Sequence, residues 1–239
     1  MSGRSRPVYL GVDVGSVSTN FVLLDGQGGS AVLWKKYLRT QGAPLAVLKT
    51  GLRLMSESGN WQICGVGATG SGRELAGVVL GADVVKNEIT AHAAAALSVD
   101  GSVSTILEIG GQDSKLIILR DGVVVDFAMN TVCAAGTGSF LDQQAHRLGI
   151  SIEEFGALAL RSKNPVRIAG RCTVFAESDM VHKQQMGVDI ADIAAGLCAA
   201  MVRNFLSGLA KGRELLPLIF FQGGVAANAG MRRFFSEAL

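Results

Sequence analysis

Two glycine-rich segments, each beside a carboxylate, could bind a phosphate and a metal ion. An acid-x-Gly sequence ends an apolar strand at residues 13–15 and again at residues 108–110, about 95 residues later. A short polar turn and a second apolar strand follow each time. Glycine and serine at a hairpin tip leave backbone N–H groups open to a phosphate, and the carboxylate can hold Mg²⁺ directly or through water. Ordinary hairpin turns would favour the same residues, but the repetition favours phosphate binding.

A third glycine-rich segment has the character of a nucleotide site. Residues 218–221 form an apolar strand that runs into a helix through the sequence QGGVAANAG. Its glycines would let a flat or charged ligand group pack against the backbone. The alternative is a plain strand-to-helix turn in which Asn228 is the N-cap of the helix.

The four cysteines are candidates for metal or redox chemistry. They have no CxxC spacing, so the sequence gives no support for a disulfide framework or a single-chain zinc finger. Cys133 precedes a Gly-rich helix start, where the positive end of the helix stabilises a thiolate, and Cys172 lies in a break between two helices. Cys64 and Cys198 lie in an apolar strand and an Ala-rich helix, and we expect both to be small buried hydrophobic side chains. Cys133 and Cys172 therefore remain as candidate ligands.

The composition is that of a folded protein with a substantial hydrophobic core. The chain has 239 residues, of which 49% are hydrophobic and 18% charged, outside the range of disordered chains. The net charge of +2 provides no strong field for nucleic acid or anionic lipid. No stretch of about 18 residues is apolar without a polar break. These features predict a soluble, cytoplasmic protein with neither nucleic acid nor membrane as a partner.

The order of strands and helices predicts an α/β protein made of two similar halves. Each acid-x-Gly segment opens an antiparallel β-meander, and mixed or helical patterns follow, with helices expected near residues 88–97, 138–148, 151–160 and 190–209. Asn87 is placed to cap the first of these helices. The turn-forming sequence SVDGS at residues 98–102 separates the halves, so we expect units at 1–99 and 100–239.

Longer segments resemble known ATPases. LGVDVGSVSTNFVLL, LEIGGQDSKLIIL and GGVAANAG resemble the two phosphate hairpins and the adenosine motif of the actin, hexokinase and heat-shock ATPase superfold. ATGSGRE, NEITAHAAAAL, IGGQDSK, MNTVCAAGTGSFLDQQAHRLGI and CTVFAESDMVHKQQMG resemble the BadF/BadG/BcrA/BcrD ATPase family, especially the activators of 2-hydroxyacyl-CoA dehydratases. The resemblance covers nearly the whole chain. It implies two RNase H-like halves with the nucleotide in the cleft between them.

The resemblance also implies a function. It predicts an ATP-hydrolysing homodimer that holds a [4Fe-4S] cluster between its subunits and passes single electrons to a 2-hydroxyacyl-CoA dehydratase or a related acyl-CoA reductase. The electrons would come from a low-potential donor such as a ferredoxin or flavodoxin. A cubane cluster usually has four thiolate ligands, so two chains that each supply Cys133 and Cys172 would complete the set.

Roles for the other site residues follow from the same resemblance. Asp13, and Asp113 with Gln112, would position Mg²⁺ and the attacking water; Glu108 stands where many members of the superfold have aspartate, and we rank it below the other two acids. Lys115 and Lys183 are interpreted as solvated charges. The proposed phosphate ligands are backbone groups of Gly15, Ser16, Gly110 and Gly111 with the side chain of Ser18 or Thr19, and Gly223, Gly224 and Asn228 would border adenine and ribose.

Two other functions remain open. A small-molecule kinase of the same superfold needs an acid that activates the acceptor, for which Asp126 or Asp142 could be nominated. A nucleotide-dependent switch without redox chemistry would make the two cysteines accidental. His92, His146 and His182 are isolated at helical positions and are assigned no chemistry. Since related chains continue beyond the adenosine motif with a strand and a closing helix, we expect that closing segment to be absent here.

Overall fold

The first acid-x-Gly segment ends the opening strand of a β-meander. The computed structural model describes residues 5–28, 31–131, 133–170 and 172–239. It separates into unit 1, Met1–Val99, and unit 2, Asp100–Leu239. The elements of unit 1 follow in chain order: β1 (Arg6–Val14), β2 (Ser18–Asp25), β3 (Val32–Arg39), α1 (Pro44–Ser58), β4 (Trp61–Thr69), α2 (Arg73–Leu80), β5 (Val84–Val85) and α3 (Glu88–Val99).

In the described part of unit 1 these strands form a five-stranded sheet in the order β3-β2-β1-β4-β5. β1 and β2 are antiparallel, whereas β1 and β4 are parallel. Burial alternates along β1, where Val8, Leu10, Val12 and Val14 are at most 4% exposed. Asp13 lies on the opposite face of the strand from these residues. The apolar alternation therefore brings a carboxylate to the end of β1 without placing it in the core.

Unit 2 repeats this plan. Its elements are β6 (Thr105–Ile109), β7 (Ser114–Arg120), β8 (Val123–Asn130), α4 (Gly138–Arg147), α5 (Ile152–Leu160), α6 (Thr173–Gln185), α7 (Ile190–Gly208), β9 (Ile219–Gln222) and α8 (Ala229–Ala238). Its described residues form a four-stranded sheet in the order β8-β7-β6-β9. β6, β7 and β8 are an antiparallel meander, and β9 runs parallel to β6. The predicted pair of meanders is confirmed.

The core of unit 2 lies between this sheet and its helices. Every residue of β6 is buried, because the strand has neighbours on both sides and helices pack over the sheet. Phe140 of α4, Phe155 of α5 and Phe205 of α7 are each at most 1% exposed. Burying one large apolar side chain stabilises the folded state by about 1.5–3 kcal/mol. These three aromatic residues therefore hold α4, α5 and α7 in the same hydrophobic core as the sheet.

α7 is the longest helix of the described chain. By length and composition its 19 residues could cross a membrane, and 61% of the apolar window is buried inside the protein. Asp189 caps its start by accepting a hydrogen bond from the Ala191 N–H at 2.7 Å. The burial is what a core helix requires. Asn87 likewise accepts from the Thr90 N–H at 2.9 Å at the start of α3, as the sequence predicts.

Candidate functional site

The tips of the two hairpins have the same geometry. In unit 1 the Gly15 N–H donates to the carbonyl of Ser18 at 2.9 Å, and in unit 2 the Gly110 N–H donates to the carbonyl of Asp113 at 3.0 Å. In each tip the N–H of the first residue therefore bonds to the carbonyl of the fourth. The two acid-x-Gly segments of the sequence therefore form the same local backbone structure.

Backbone carbonyl groups of both tips accept hydrogen bonds from residues farther along the chain. Thr40 donates its N–H to Val17 and its hydroxyl to Gly15, both at 2.8 Å. In unit 2 the Gly138 N–H donates to Gly110 and the Ser139 N–H to Gly111, again at 2.8 Å.

With their carbonyls bound in this way, the tips present backbone donors. Within residues 5–28 and 31–131 the N–H groups of Ser16, Val17, Gly111 and Gln112 have no acceptor. Successive unpaired N–H groups in a tight turn form an anion-binding concavity. Each tip thus has backbone donors arranged as in an anion site, and phosphate binding through Ser16 and Gly111 stays a prediction.

Asp13 is fixed at the end of β1. Its carboxylate accepts from Nδ2 of Asn20, directly opposite on β2, at 3.2 Å. Gly70 follows β4 with a φ of +95°, and a Cβ there would lie 2.5 Å from Asp13 Oδ1. The ATGSGRE segment therefore needs this glycine so that the turn can approach the carboxylate.

The structure distinguishes the alternatives Ser18 and Thr19. Thr19 is completely buried, and its hydroxyl is 3.0 Å from that of Thr40. Its side chain therefore stabilises the base of the hairpin. Ser18 is only half-buried, which leaves Ser18 as the candidate side chain for a phosphate.

Lys115 joins two of the predicted acids in unit 2. Its ammonium group lies 3.0 Å from Glu108 Oε2 and 2.8 Å from Asp113 Oδ2. Glu108 and Lys115 are directly opposed in the β6–β7 ladder. Lys115 is 3% exposed, so its interpretation as a solvated charge is wrong. Desolvation lowers the pKa of Lys115, but the charges of Glu108 and Asp113 outweigh burial, and the net direction is upward.

The proposed adenosine motif touches the second hairpin. Gly223 follows β9 with a φ of +84°, and a Cβ on it would collide with the carbonyl oxygen of Ile109 and approach Glu108 Oε1 to 2.6 Å. Only glycine fits this combination of positive φ and close approach. Gly224 is exposed and begins a 3₁₀ turn, Gly224–Ala227.

Asn228 is the N-cap of α8, as the alternative interpretation of this segment as a strand-to-helix turn predicts. Its Oδ1 accepts from the Met231 N–H at 3.0 Å and caps α8. A Cβ at Gly156 of α5 would lie 2.6 Å from the same oxygen. Asn228 therefore fixes the turn that contains Gly223 and Gly224 against α5.

Cys133 is held by Asn130 at the end of β8. The amide side chain of Asn130 accepts from the Cys133 N–H at 2.9 Å and donates to its carbonyl at 2.8 Å. A 3₁₀ turn, Ala134–Gly136, follows and leads into α4. Cys133 is half-buried and borders a cavity of about 890 Å³ that is also lined by residues of α7. The thiol is thus placed rigidly and can still be reached by a ligand.

Cys172 follows a segment that is fixed without regular secondary structure. The Asp192 carboxylate accepts from the Ser162 hydroxyl at 2.6 Å and from two backbone N–H groups after it. Asp179 accepts from the Ala169 N–H at 2.9 Å, and Arg203 donates to the carbonyl of Ile168 at 2.7 Å. Cys172 itself is half-buried at the N-cap of α6.

Asn204 of α7 contacts both cysteine segments. Its Nδ2 donates to the carbonyl of Gly170, two residues before Cys172. A Cβ at Gly136, three residues after Cys133, would lie 2.9 Å from Asn204 Oδ1. The segments that carry the two candidate ligands therefore meet at one side chain within unit 2.

The other two cysteines differ from each other. Cys198 is completely buried, as predicted, and desolvation raises its pKa to about 12. The prediction for Cys64 is wrong, because this residue is exposed. In the β1–β4 ladder Val8 pairs with Ile63 and Tyr9 with Gly65, so Cys64 is the extra residue of a β-bulge.

This difference predicts thiol reactivity. At pH 8 we expect iodoacetamide to modify Cys64 at least about 100-fold faster than Cys198, because Cys198 lacks both access and thiolate. Mass spectrometry of the digested protein measures both sites in one sample. Equal rates at the two residues would contradict the assigned burial.

The acids nominated for a kinase have structural contacts elsewhere. Asp126 lies within β8 and forms an ion pair with Arg213 at 2.8 Å. Asp142 belongs to the first half of α4. Neither is part of the Glu108, Asp113 and Lys115 cluster.

Comparison with known proteins agrees with this arrangement. The sequence profile of the BadF/BadG/BcrA/BcrD ATPase family matches residues 10–239. The (R)-2-hydroxyglutaryl-CoA dehydratase activating ATPase of Acidaminococcus fermentans is 33% identical over 237 residues, covering 96% of this chain and 87% of that protein. The structure of the activator of 2-hydroxyisocaproyl-CoA dehydratase from Clostridium difficile with bound ADPNP has a TM-score of 0.86 at 30% identity, covering 96% of this chain and 85% of that one.

A more distant structure shows the fold alone. The ROK family glucokinase of Streptomyces griseus, in complex with glucose and AMPPNP, has a TM-score of 0.52 at 14% identity and covers 96% of this chain and 89% of that one. The predicted α/β fold of the actin and hexokinase type, with two sheets, is confirmed. This chain belongs to the BadF/BadG/BcrA/BcrD ATPase family.

Proposed function

We propose that the protein is an ATP-dependent activator that transfers single electrons to a 2-hydroxyacyl-CoA dehydratase or a related acyl-CoA reductase. The observation that carries this proposal is the placement of Cys133 and Cys172, each just before a helix of unit 2, in segments that meet at Asn204. Relatives that activate such dehydratases match nearly the whole chain.

The donor set suits a shared [4Fe-4S] cluster. Two half-buried thiols per chain supply half of the usual four thiolates, so a homodimer would complete the site. Val174 and Phe175, directly after Cys172, are 65% and 66% exposed. An apolar surface beside a half-complete ligand set supports contact with a second copy. When bound, the cluster would supply a low-potential electron, and a ferredoxin or flavodoxin would be its donor.

The hairpins would bind the nucleotide. The Ser16 and Gly111 amides, with Gly15, Gly110 and the Ser18 hydroxyl, would hold phosphates. Asp13 and Asp113 would hold Mg²⁺, with Gln112 orienting the attacking water; the exposed Gln112 and half-buried acids suit this role. Bound Mg²⁺ would supply charge neutralisation at the phosphates. Glu108 would position Asp113 through Lys115, which lies between the two carboxylates. Gly223 and Gly224, which Asn228 holds in place, would border adenine and ribose. We place the protein in the cytoplasm with this partner enzyme.

Anaerobic purification tests the proposal. We expect a brown homodimer with about four iron atoms per two chains, and colourless protein from Cys133→Ser and Cys172→Ser. Cys64→Ser is the matched control, since it removes an exposed thiol outside unit 2, and it should keep its iron. Wild-type protein without iron, or serine variants that retain it, would contradict the cluster.

A further inference from the structure

The start of α4 is capped by the second phosphate hairpin. The first N–H groups of a helix have no acceptor within the helix, and Thr137 provides no side-chain cap. Instead the Gly138 N–H donates to the carbonyl of Gly110, and the Ser139 N–H to that of Gly111, both at 2.8 Å. The Ser139 hydroxyl donates to Gly111 as well, at 2.6 Å.

The same two peptide groups present donors on their other side. The carbonyl of Gly110 and the N–H of Gly111 belong to one planar trans peptide, in which they point in opposite directions. The carbonyl of Gly111 and the N–H of Gln112 form the next. Among the described residues these N–H groups have no acceptor. Each peptide therefore has its carbonyl on α4 and its N–H on the side where a phosphate would bind.

Cys133 is joined to this capped helix by a short, bonded path. The Thr137 N–H and hydroxyl both donate to the carbonyl of Ala134, at 3.0 and 2.8 Å. Thr137 is 1% exposed. A Cβ at Gly138 would lie 2.9 Å from the Gly110 carbonyl oxygen, so helix and hairpin are in close contact. A change at the hairpin peptides therefore reaches Cys133 through hydrogen-bonded backbone.

We propose that Ser139 is the positioning residue that transmits phosphate occupancy at hairpin 2 to Cys133. This inference rests on the proposed function. A phosphate that accepts from Gly111 and Gln112 polarises both peptides and strengthens the bonds that their carbonyls accept from α4. Loss of the phosphate weakens these bonds and frees the helix start. Thr40 holds hairpin 1 in a similar way, but the next cysteine after it is Cys64 of β4, which is not a candidate cluster ligand, so the coupling belongs to hairpin 2.

Hydrogen exchange of the full chain measures this coupling directly. With Mg²⁺ and ADPNP we expect the Gly138 and Ser139 amides to exchange about three- to tenfold more slowly than with Mg²⁺ and ADP, which is the factor that one net hydrogen bond is worth. In Ser139→Ala this nucleotide dependence should fall below about twofold, and because the coupling is reciprocal, ADPNP affinity should fall by no more than the lost coupling factor. Ser139→Thr keeps the hydroxyl and should keep the response.

Ser151→Ala is the matched control. Ser151 is a serine at the start of α5, but its hydroxyl bonds to Glu154 of its own helix, so this variant should respond like the wild type. A nucleotide response in Ser139→Ala equal to that of the wild type, or wild-type protein that binds ADPNP without slowing exchange, would overturn this inference alone. Wild-type protein that binds no nucleotide would overturn the proposed function as well. If Ser139→Ala does not fold, the wild-type exchange rates alone decide.

Discussion

Replacing Lys115 by methionine is expected to lower the free energy of unfolding of unit 2 by about 3–5 kcal/mol. The ammonium group is 3% exposed and lies between Glu108 at 3.0 Å and Asp113 at 2.8 Å. Without it, Glu108 keeps a buried carboxylate that faces a second one with no opposite charge between them. The loss exceeds that of a surface ion pair, which is worth about 0–1 kcal/mol.

Urea unfolding can isolate this effect. Both tryptophans, Trp34 and Trp61, lie in unit 1, so fluorescence follows unit 1 and circular dichroism follows both units. Only the circular dichroism transition should shift. Glu108→Gln combined with Lys115→Met removes both charges and should recover more than half of the loss. Lys183→Met, a half-buried lysine for which the described residues supply no ion pair, should change stability by less than about 0.5 kcal/mol. A Lys115→Met transition within about 1 kcal/mol of the wild type would contradict the buried cluster.

The same substitution should change the response to Mg²⁺. In the wild type, the single positive charge of Lys115 lies between the two carboxylates. In Lys115→Met they become an empty pair of oxygen ligands, which suits a divalent cation. We expect Mg²⁺ without nucleotide to raise the midpoint of unfolding more in the variant than in the wild type.

The local parts of the site could be predicted from the sequence. The hairpin tips follow from an acid-x-Gly sequence between two apolar strands, and the cap of α3 follows from Asn87. These features depend on residues within a few positions of each other. The backbone donors of Ser16 and Gly111 belong to this group, because the closing hydrogen bond of a four-residue turn fixes them.

The burial of single residues and the contacts between distant segments depend on how separate strands and helices align. Cys64 is exposed together with Gln62 and Ile63 before it in β4, and the apolar residues around it in the sequence give no sign of this. Lys115 is buried because it stands opposite Glu108. Aligning β6 and β7 as an antiparallel pair places Glu108 opposite Lys115, so the sequence does contain the information that these charges meet. Asn130 bonds to Cys133 only three residues later, which is a local contact, whereas Asn204, which contacts both cysteine segments, gives no local pattern.

Asn204→Asp is expected to reduce assembly of the proposed cluster strongly while the fold is kept. The substitution replaces the Nδ2 that donates to the Gly170 carbonyl by a charged oxygen, so an attraction becomes a repulsion two residues before Cys172. The other amide atom lies against Gly136, three residues after Cys133. Two oxygens that face each other at this partly buried contact repel, and we expect the irregular segment before Cys172 to move away from position 204.

Iron content and chemical crosslinking separate a positioning role from a general loss of folding. We expect Asn204→Asp to bind less than about a quarter of the wild-type iron, a loss of the size seen when residues that orient metal ligands are removed. In iron-free protein a short bifunctional maleimide should join Cys133 to Cys172 more slowly than in the wild type. Asn164→Asp makes the same change at an exposed asparagine of the segment before Cys172 and should alter neither result. Full iron content in Asn204→Asp would show that the two cysteine segments hold their positions without Asn204.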